Sequence, residues 1–258
     1  MDFSIPAEVS KDLILYRDMI KTHVKSQLTA WNKKREIPRD FFKTLGTGGW
    51  YGLRTQHEDL ARGSVLREAL MAEEVAKVSP GVAVAILAHI DLGLSGLFHF
   101  GSKRLRKKFG IPAVQGKSLM CLGNTENIAG SDVAGIAMQA KKIDDGWLLN
   151  GTKSYVTNGA IADFGVITAV SDPEAPRSGR LSMFLVDLNH EGVRRKKLNK
   201  QVWIPSDLTR LQFTDVFVPD SRLVGTQGKG LQQVLTVFTN SRVPIAAMTL
   251  GTAVGAFE

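Results

Sequence analysis

The sequence predicts an α+β protein: an N-terminal α-helical domain over residues 1–118, a small antiparallel β-barrel or sandwich over 119–227, and the first helices of a truncated C-terminal helical bundle over 228–258. Three observations predict it. Up to residue 118 apolar side chains recur at helical spacing. Between 119 and 225 short apolar runs are separated by turn chemistry. From Gly228 the helical spacing returns and runs to the last residue.

In the helical part, Ser10 is placed to cap a helix through Leu28, with Leu13, Ile14, Ile20, Val24 and Leu28 along it. Pro38 and Asp40 open a short helix, Phe41–Leu45, ended by Gly46, Gly48 and Gly49. Trp50-Tyr51-Gly52-Leu53 reads as a brief extended segment or buried turn. Ser64 starts a helix through Val78, broken by Ser79-Pro80-Gly81. Val82–Phe100 is a second, largely apolar helix, and Ser102 caps Lys103–Phe109. The basic run 103–108 reads as a solvated helix face, with Leu105 and Phe109 turned inward. His89, Asp91 and His99 match no metal-ligand spacing and read as satisfied polar residues of a packed helix pair.

The β part holds Leu119–Leu122, a hairpin of Ile136–Ile143 and Trp147–Asn150 around Asp144-Asp145-Gly146, then Phe164–Val170, Leu181–Asp187, Val193–Leu198 and Leu208–Val218. Asp-Gly suits the hairpin turn because glycine reaches positive φ without a Cβ clash. Arg194-Arg195-Lys196-Lys197 reads as an exposed edge, where charge blocks unwanted pairing. Beyond Gly228-Lys229-Gly230, taken as a hinge rather than a phosphate loop, a helix reaches Arg242. Pro244 starts or kinks a second segment. The chain stops at Glu258 with no cap or breaker, so a truncated third domain is expected.

Composition narrows the class. Over 258 residues, 43% hydrophobic and 22% charged, the chain reads as an ordinary globular protein of more than one unit. The net charge of +8 favours anionic ligands, a phosphorylated one included, while no zinc spacing or RNA-binding signature points to nucleic acid. Cys121 stands alone, which excludes an internal disulfide, points to a reducing, cytoplasmic setting and reads as a buried strand residue. No signal-peptide core is visible. The most apolar stretch, Val82–Leu97, is short for a span and holds His89 and Asp91, so no membrane span is expected.

The hairpin carries the functional signal. It brings together two polar, glycine-bearing segments, 125–132 and 153–159, side by side at one rim of the sheet. Clustered hydroxyls, an amide and flexible backbone at a rim suit a polar planar ligand. Thr125-Glu126-Asn127-Ile128-Ala129-Gly130-Ser131-Asp132, Asn150-Gly151-Thr152-Lys153 and Tyr155-Val156-Thr157-Asn158-Gly159 together resemble the middle domain of the acyl-CoA dehydrogenase family. More loosely, the resemblance extends over almost the whole chain.

The resemblance implies FAD as cofactor and an acyl-CoA thioester as substrate, oxidised to its trans-2-enoyl form. It implies an electron-transfer flavoprotein as acceptor of the full-length form, which would be a homo-oligomer. Carried over by position, the Leu122, Gly123, Asn124 and Thr125 backbone meets the flavin pyrimidine edge, with the Thr125 hydroxyl added. Gly130 lets the backbone approach. Ser131 sits where flavin and the substrate's pantetheine meet. Tyr155 packs on the flavin face where many members have tryptophan, next to Val156, and Thr157 lies at the N5 edge. Asn124 and Asn127 stand where apolar residues or proline are commoner. Thr239-Asn240-Ser241-Arg242 resembles the segment that contacts the acyl-CoA.

No catalytic residue is assigned. Most members place the catalytic glutamate in a C-terminal helical domain. Others place it just before the arginine, where this chain has Ser241, and Glu258 matches neither position. The chain alone is therefore expected to be inactive. Other readings are a related flavin oxidase or monooxygenase, a dehydrogenase of carrier-protein thioesters, a non-catalytic FAD- or CoA-binding fragment, and half of a split enzyme.

Overall fold

The computed structural model of the chain describes residues 4–51 and 64–258. Gly52 and Leu53, half of the expected turn after Trp50, lie outside the described residues, as does the start of the N-terminal stretch read for a signal peptide.

Helix α1 (Ala7–Met19) begins three residues before Ser10, with Pro6 as its N-terminal boundary, and passes into a π-helical turn, Ile20–Lys25. No side chain caps that start; the Pro6 carbonyl accepts the first bonds, from Val9 and Ser10 N–H. Helices α2 (Leu28–Lys34) and α3 (Arg39–Thr47) follow, the latter running two residues past the expected end. Helix α4 (Val65–Val78) starts after Ser64 as expected. Ser79 then works for the next helix: its hydroxyl accepts from Val82 N–H at 3.3 Å, and Pro80 is the first residue of α5 (Pro80–Leu87). This helix continues through a π-helical stretch, Ala88–Leu94, into α6 (Ser95–Phe100). The 21-residue run is longer than its apolar core suggested, and 83% of its most apolar window is buried inside the protein. Ser102 accepts from Leu105 N–H at 3.2 Å and caps α7 (Lys103–Leu105), which leads through a π-helical turn to α8 (Ile111–Val114).

The strands are β1 (Met120–Gly123), β2 (Gln139–Ile143), β3 (Gly146–Thr157), β4 (Phe164–Val170), β5 (Leu181–Asp187), β6 (Val193–Lys197), β7 (Leu208–Pro219) and β8 (Leu223–Val224). They form one sheet in the order β6-β7-β3-β2-β4-β5-β8, with β1 added on β4. Pairing is antiparallel apart from β1 on β4 and a single β2–β4 bridge. Along β4 and β5 successive side chains enter two cores. Val166, Met183 and Leu185 face the helices; Ile167, Phe184 and Val186 face a second core within the curled sheet. Burial on both faces explains why these strands read as continuous apolar runs. The basic strand β6 stands at the end of the order, as charge on an edge favours.

Two details of the hairpin differ from expectation. Gly146 opens β3 instead of supplying positive φ; a Cβ there would meet Val218 O at 2.4 Å, so close approach to β7 requires the glycine. Strand β3 also does not stop at Asn150. Register shifts at Leu149/Gly151 and Lys153/Val156 absorb the turn-like residues as bulges, with Gly151 at φ 145° and Tyr155 at φ 59°.

The last helix, α9 (Gly230–Phe257), is a single run of 28 residues with Pro244 inside it and buried, where two segments were expected. It packs on α4 so closely that a Cβ on Gly251 would meet Glu73 O at 2.2 Å. Tertiary packing holds the helix across the proline.

Candidate functional site

The site begins at β1. Leu119 O accepts from Phe164 N–H on the β4 side, and along a strand alternate residues turn their main-chain groups to opposite edges. Met120, Leu122 and Asn124 therefore present theirs away from β4. Two contacts agree: Met120 N–H donates to His89 Nδ1 at 3.0 Å, and Asn124 O accepts from Lys153 Nζ at 3.0 Å.

Beyond β1 the chain turns through Thr125–Asp132 and is tied residue by residue to β3. Lys153 Nζ donates to Asn124 O and, at 2.7 Å, to Glu126 Oε1. Ser154 N–H donates to Thr125 O at 2.8 Å, and Ser154 Oγ donates to Asn127 Oδ1 at 2.8 Å. The two polar segments thus lie side by side at the rim, as the hairpin required. Glu126 is the hub: its two oxygens also accept the Ala137 and Met138 N–H groups at 2.9 and 3.0 Å.

Lys153 is fully buried; burial pushes its pKa down to about 8, against the raising effect of Glu126. Its stem runs under Gly123, whose added Cβ would lie 3.5 Å from Lys153 Cγ and only 2.5 Å from Ile167 Cδ1. Glu126 and Lys153 were visible in the motifs, but sequence reasoning gave them no role. The signal was one carboxylate and one ammonium in two short segments that the hairpin must bring together.

The nominated residues divide by exposure. Asn124 is buried, and neither polar atom of its side chain has a protein partner. Thr125 and Thr157 are half-buried at the rim. The bulge swings Tyr155 outward, leaving it 60% exposed. Val156 instead points into the inner core, so only its main chain belongs to the rim. Gly130 and Ser131 are exposed, and a Cβ on Gly130 would meet nothing within 4 Å. Asn158 buttresses the rim from behind: its Nδ2 donates to Ala85 O at 2.8 Å.

A second feature is an open pocket of about 560 Å³ between the 178–179 loop and α9, lined by Ser178, Lys229, Leu235, Thr236, Thr239 and Asn240 among others. Gly228 shapes its floor at φ 76°, its N–H donating to Ser182 Oγ at 2.9 Å, so the glycine hinge also lines a cavity. The substrate candidates separate here. Thr239 and Asn240 line the pocket. Ser241 is buried with its hydroxyl donating to Phe238 O at 2.9 Å, and Arg242 is exposed outside the lining. Helical geometry is the reason, since consecutive residues lie about 100° apart around the axis.

Both imidazoles singled out earlier are engaged. His89 donates from Nε2 to Ala113 O at 3.3 Å while Nδ1 accepts from Met120, and burial lowers its pKa to about 4. His99 Nδ1 lies 2.8 Å from Ser95 O. Cys121 is buried, and its thiol is pushed far above the ordinary range.

Residues 14–117 match the acyl-CoA dehydrogenase N-terminal domain, and residues 121–216 match the acyl-CoA dehydrogenase middle domain. The chain belongs to the acyl-CoA dehydrogenase family. It is 30% identical over 260 residues to the short-chain-specific acyl-CoA dehydrogenase of Clostridium acetobutylicum, covering 100% of this chain and 68% of that protein. Against the corresponding enzyme of Megasphaera elsdenii it is 35% identical over 192 residues, 74% of this chain and 50% of that one. The solved butyryl-CoA dehydrogenase of Megasphaera elsdenii superposes with a TM-score of 0.93 at 30% identity, over 99% of this chain and 68% of that chain. The chain thus spans between half and about two thirds of the length of these acyl-CoA dehydrogenases.

The rim fits a flavin. Main-chain groups of Leu122 and the N–H groups of Asn124 and Thr125, with the Thr125 hydroxyl, supply acceptors and donors of the kind that the O2, N3–H and O4 edge of an isoalloxazine requires, while the Asn124 carbonyl is taken up by Lys153. The exposed ring of Tyr155 stands at the adjoining rim.

Proposed function

We propose that the chain carries the flavin edge and part of the acyl-CoA surface of an FAD-dependent acyl-CoA dehydrogenase. The observation that carries the proposal is the joining of 124–127 to 153–154 beside the outward-facing groups of β1. FAD, when bound, supplies the acceptor for the hydride leaving the β-carbon of the thioester.

The chain's own residues bind and orient. Leu122 main-chain groups, the Asn124 and Thr125 N–H groups and the Thr125 hydroxyl hold the pyrimidine edge, and Gly123 leaves room beside it for Ile167 and the Lys153 stem. Tyr155 covers a ring face, and the Thr157 hydroxyl lies toward N5. Thr239 and Asn240, with Ser178 and Lys229, take the polar part of the acyl-CoA in the 560 Å³ pocket. Holding the thioester at a fixed place supplies much of the rate of such a transfer.

The α-proton requires a base, and none is assigned among the described residues. Ser241 stands where some members have a carboxylate, and its hydroxyl is committed to Phe238 O. An electron-transfer flavoprotein as acceptor, a homo-oligomeric full-length form, a role in fatty acid metabolism and a cytoplasmic setting extend the same reading.

The test is an absorption spectrum of the purified chain with added FAD, followed by anaerobic butyryl-CoA. A perturbed flavin spectrum that does not bleach is the expected result. An unperturbed spectrum would overturn the flavin edge; bleaching would overturn the absence of a base.

A further inference from the structure

Lys153 is the one residue at the rim whose chemistry binding alone does not use. A fully buried ammonium is an expensive way to fasten a loop, since a neutral donor would serve. Its two acceptors have different consequences. The Glu126 carboxylate compensates its charge. The Asn124 carbonyl belongs to the peptide whose N–H is that of Thr125, and among the described residues this N–H has no protein acceptor. A cation bonded to the oxygen of a peptide draws electron density from it and makes the N–H of that same peptide a stronger donor. The Ser154 N–H bond to Thr125 O and the Glu126 hub hold the turn so that this peptide cannot rotate away.

We propose that Lys153 is a positioning residue that tunes the flavin: clamped between Glu126 and the Asn124 carbonyl, it orients and polarises the Asn124–Thr125 peptide toward the pyrimidine edge and favours the reduced form. The proposal rests on the flavin-edge reading above. Reduction adds negative charge to the N1–C2–O2 edge, so a polarised N–H there strengthens on reduction more than it contributes to the oxidised state. Lys153 therefore acts through a peptide, without touching the ring.

The experiment compares three forms of the full chain: unchanged, Lys153→Met, and Lys153→Met with Glu126→Gln. For each, the affinities for oxidised and for chemically reduced FAD and the melting temperature are measured. The single variant leaves a buried carboxylate unpaired and melts lower. In the double variant both charges are gone, so the melting temperature returns toward that of the unchanged chain. The affinity for reduced FAD nevertheless stays weakened by on the order of tenfold more than that for oxidised FAD, a fall of about 30 mV in two-electron midpoint potential.

If the double variant recovers its melting temperature and both redox forms bind with the unchanged ratio, the pair is a structural fastener and the proposal is overturned, while the flavin edge stands. If the double variant does not fold, the pair is needed to fold and the proposal is likewise overturned. If the unchanged chain binds no FAD in either state, the flavin-edge reading falls and takes this one with it.

Discussion

At the scale of single residues, two buried titratable groups hold the rim. The Glu126–Lys153 pair lies at 2.7 Å with the lysine wholly buried. Removing one partner strands a charge, so Glu126→Ala or Lys153→Met is expected to cost about 3–5 kcal/mol, read as a shift of urea midpoint at constant slope. His89 behaves differently. Its folded pKa, about 4, lies below the unfolded value near 6.5, so the unfolded chain takes up a proton first as pH falls. Its contribution is fully present above pH 6.5 and is lost as pH falls through about 4. Between those limits His89→Gln is expected to lose roughly 3 kcal/mol less stability than the unchanged chain. Melting temperatures of both across that range check the sign; a steeper fall in the variant would contradict it.

At the scale of elements, two devices position the site: the bulged strand β3 and the close pair of α4 with α9. The bulge between Lys153 and Val156 sends Lys153 under the β1 turn, Tyr155 outward and Val156 into the inner core, which a regular strand could not do. Helices α4 and α9 meet where Gly251 and Gly255 lie on the Glu73 and Lys77 carbonyls. A side chain at Gly251 has no room, so Gly251→Val is expected to destabilise by about 1–3 kcal/mol or more and to loosen α9. Because Thr239 and Asn240 sit on the same helix, its affinity for acyl-CoA should fall as well, measured by calorimetry on the folded variant.

At the scale of the whole molecule, the helices and the sheet share one core while the curled sheet encloses a second. The rim lies where β1, the 125–132 turn and β3 converge, so occupying it ties the elements together. FAD at about 100 times its Kd is expected to add about 2.7 kcal/mol to stability and to raise the melting temperature as its concentration rises. A melting temperature indifferent to FAD would place the ligand elsewhere. An exposed apolar face remains on α9, with Leu235, Val243, Leu250 and Phe257 at 46%, 50%, 55% and 94% exposure.

What the sequence determined by itself was local and periodic. Both faces of β4 and β5 are buried, so their bounds could be read directly as apolar runs, and Ser64 and Ser102 announced their helices. The two polar, glycine-bearing motifs could be read from their residue types, and their adjacency followed from the hairpin. The tertiary structure alone decided where a residue's reason lay in a distant neighbour. Gly146 is a glycine because of Val218, α9 survives Pro244 because of its packing, and Ser241 and Arg242 turn from the pocket because the helix axis sets their direction. Above all it joined Lys153 to Asn124 and Glu126, nearly thirty positions back in the chain, a contact that no local pattern encodes because its energy arises only once both groups leave water together.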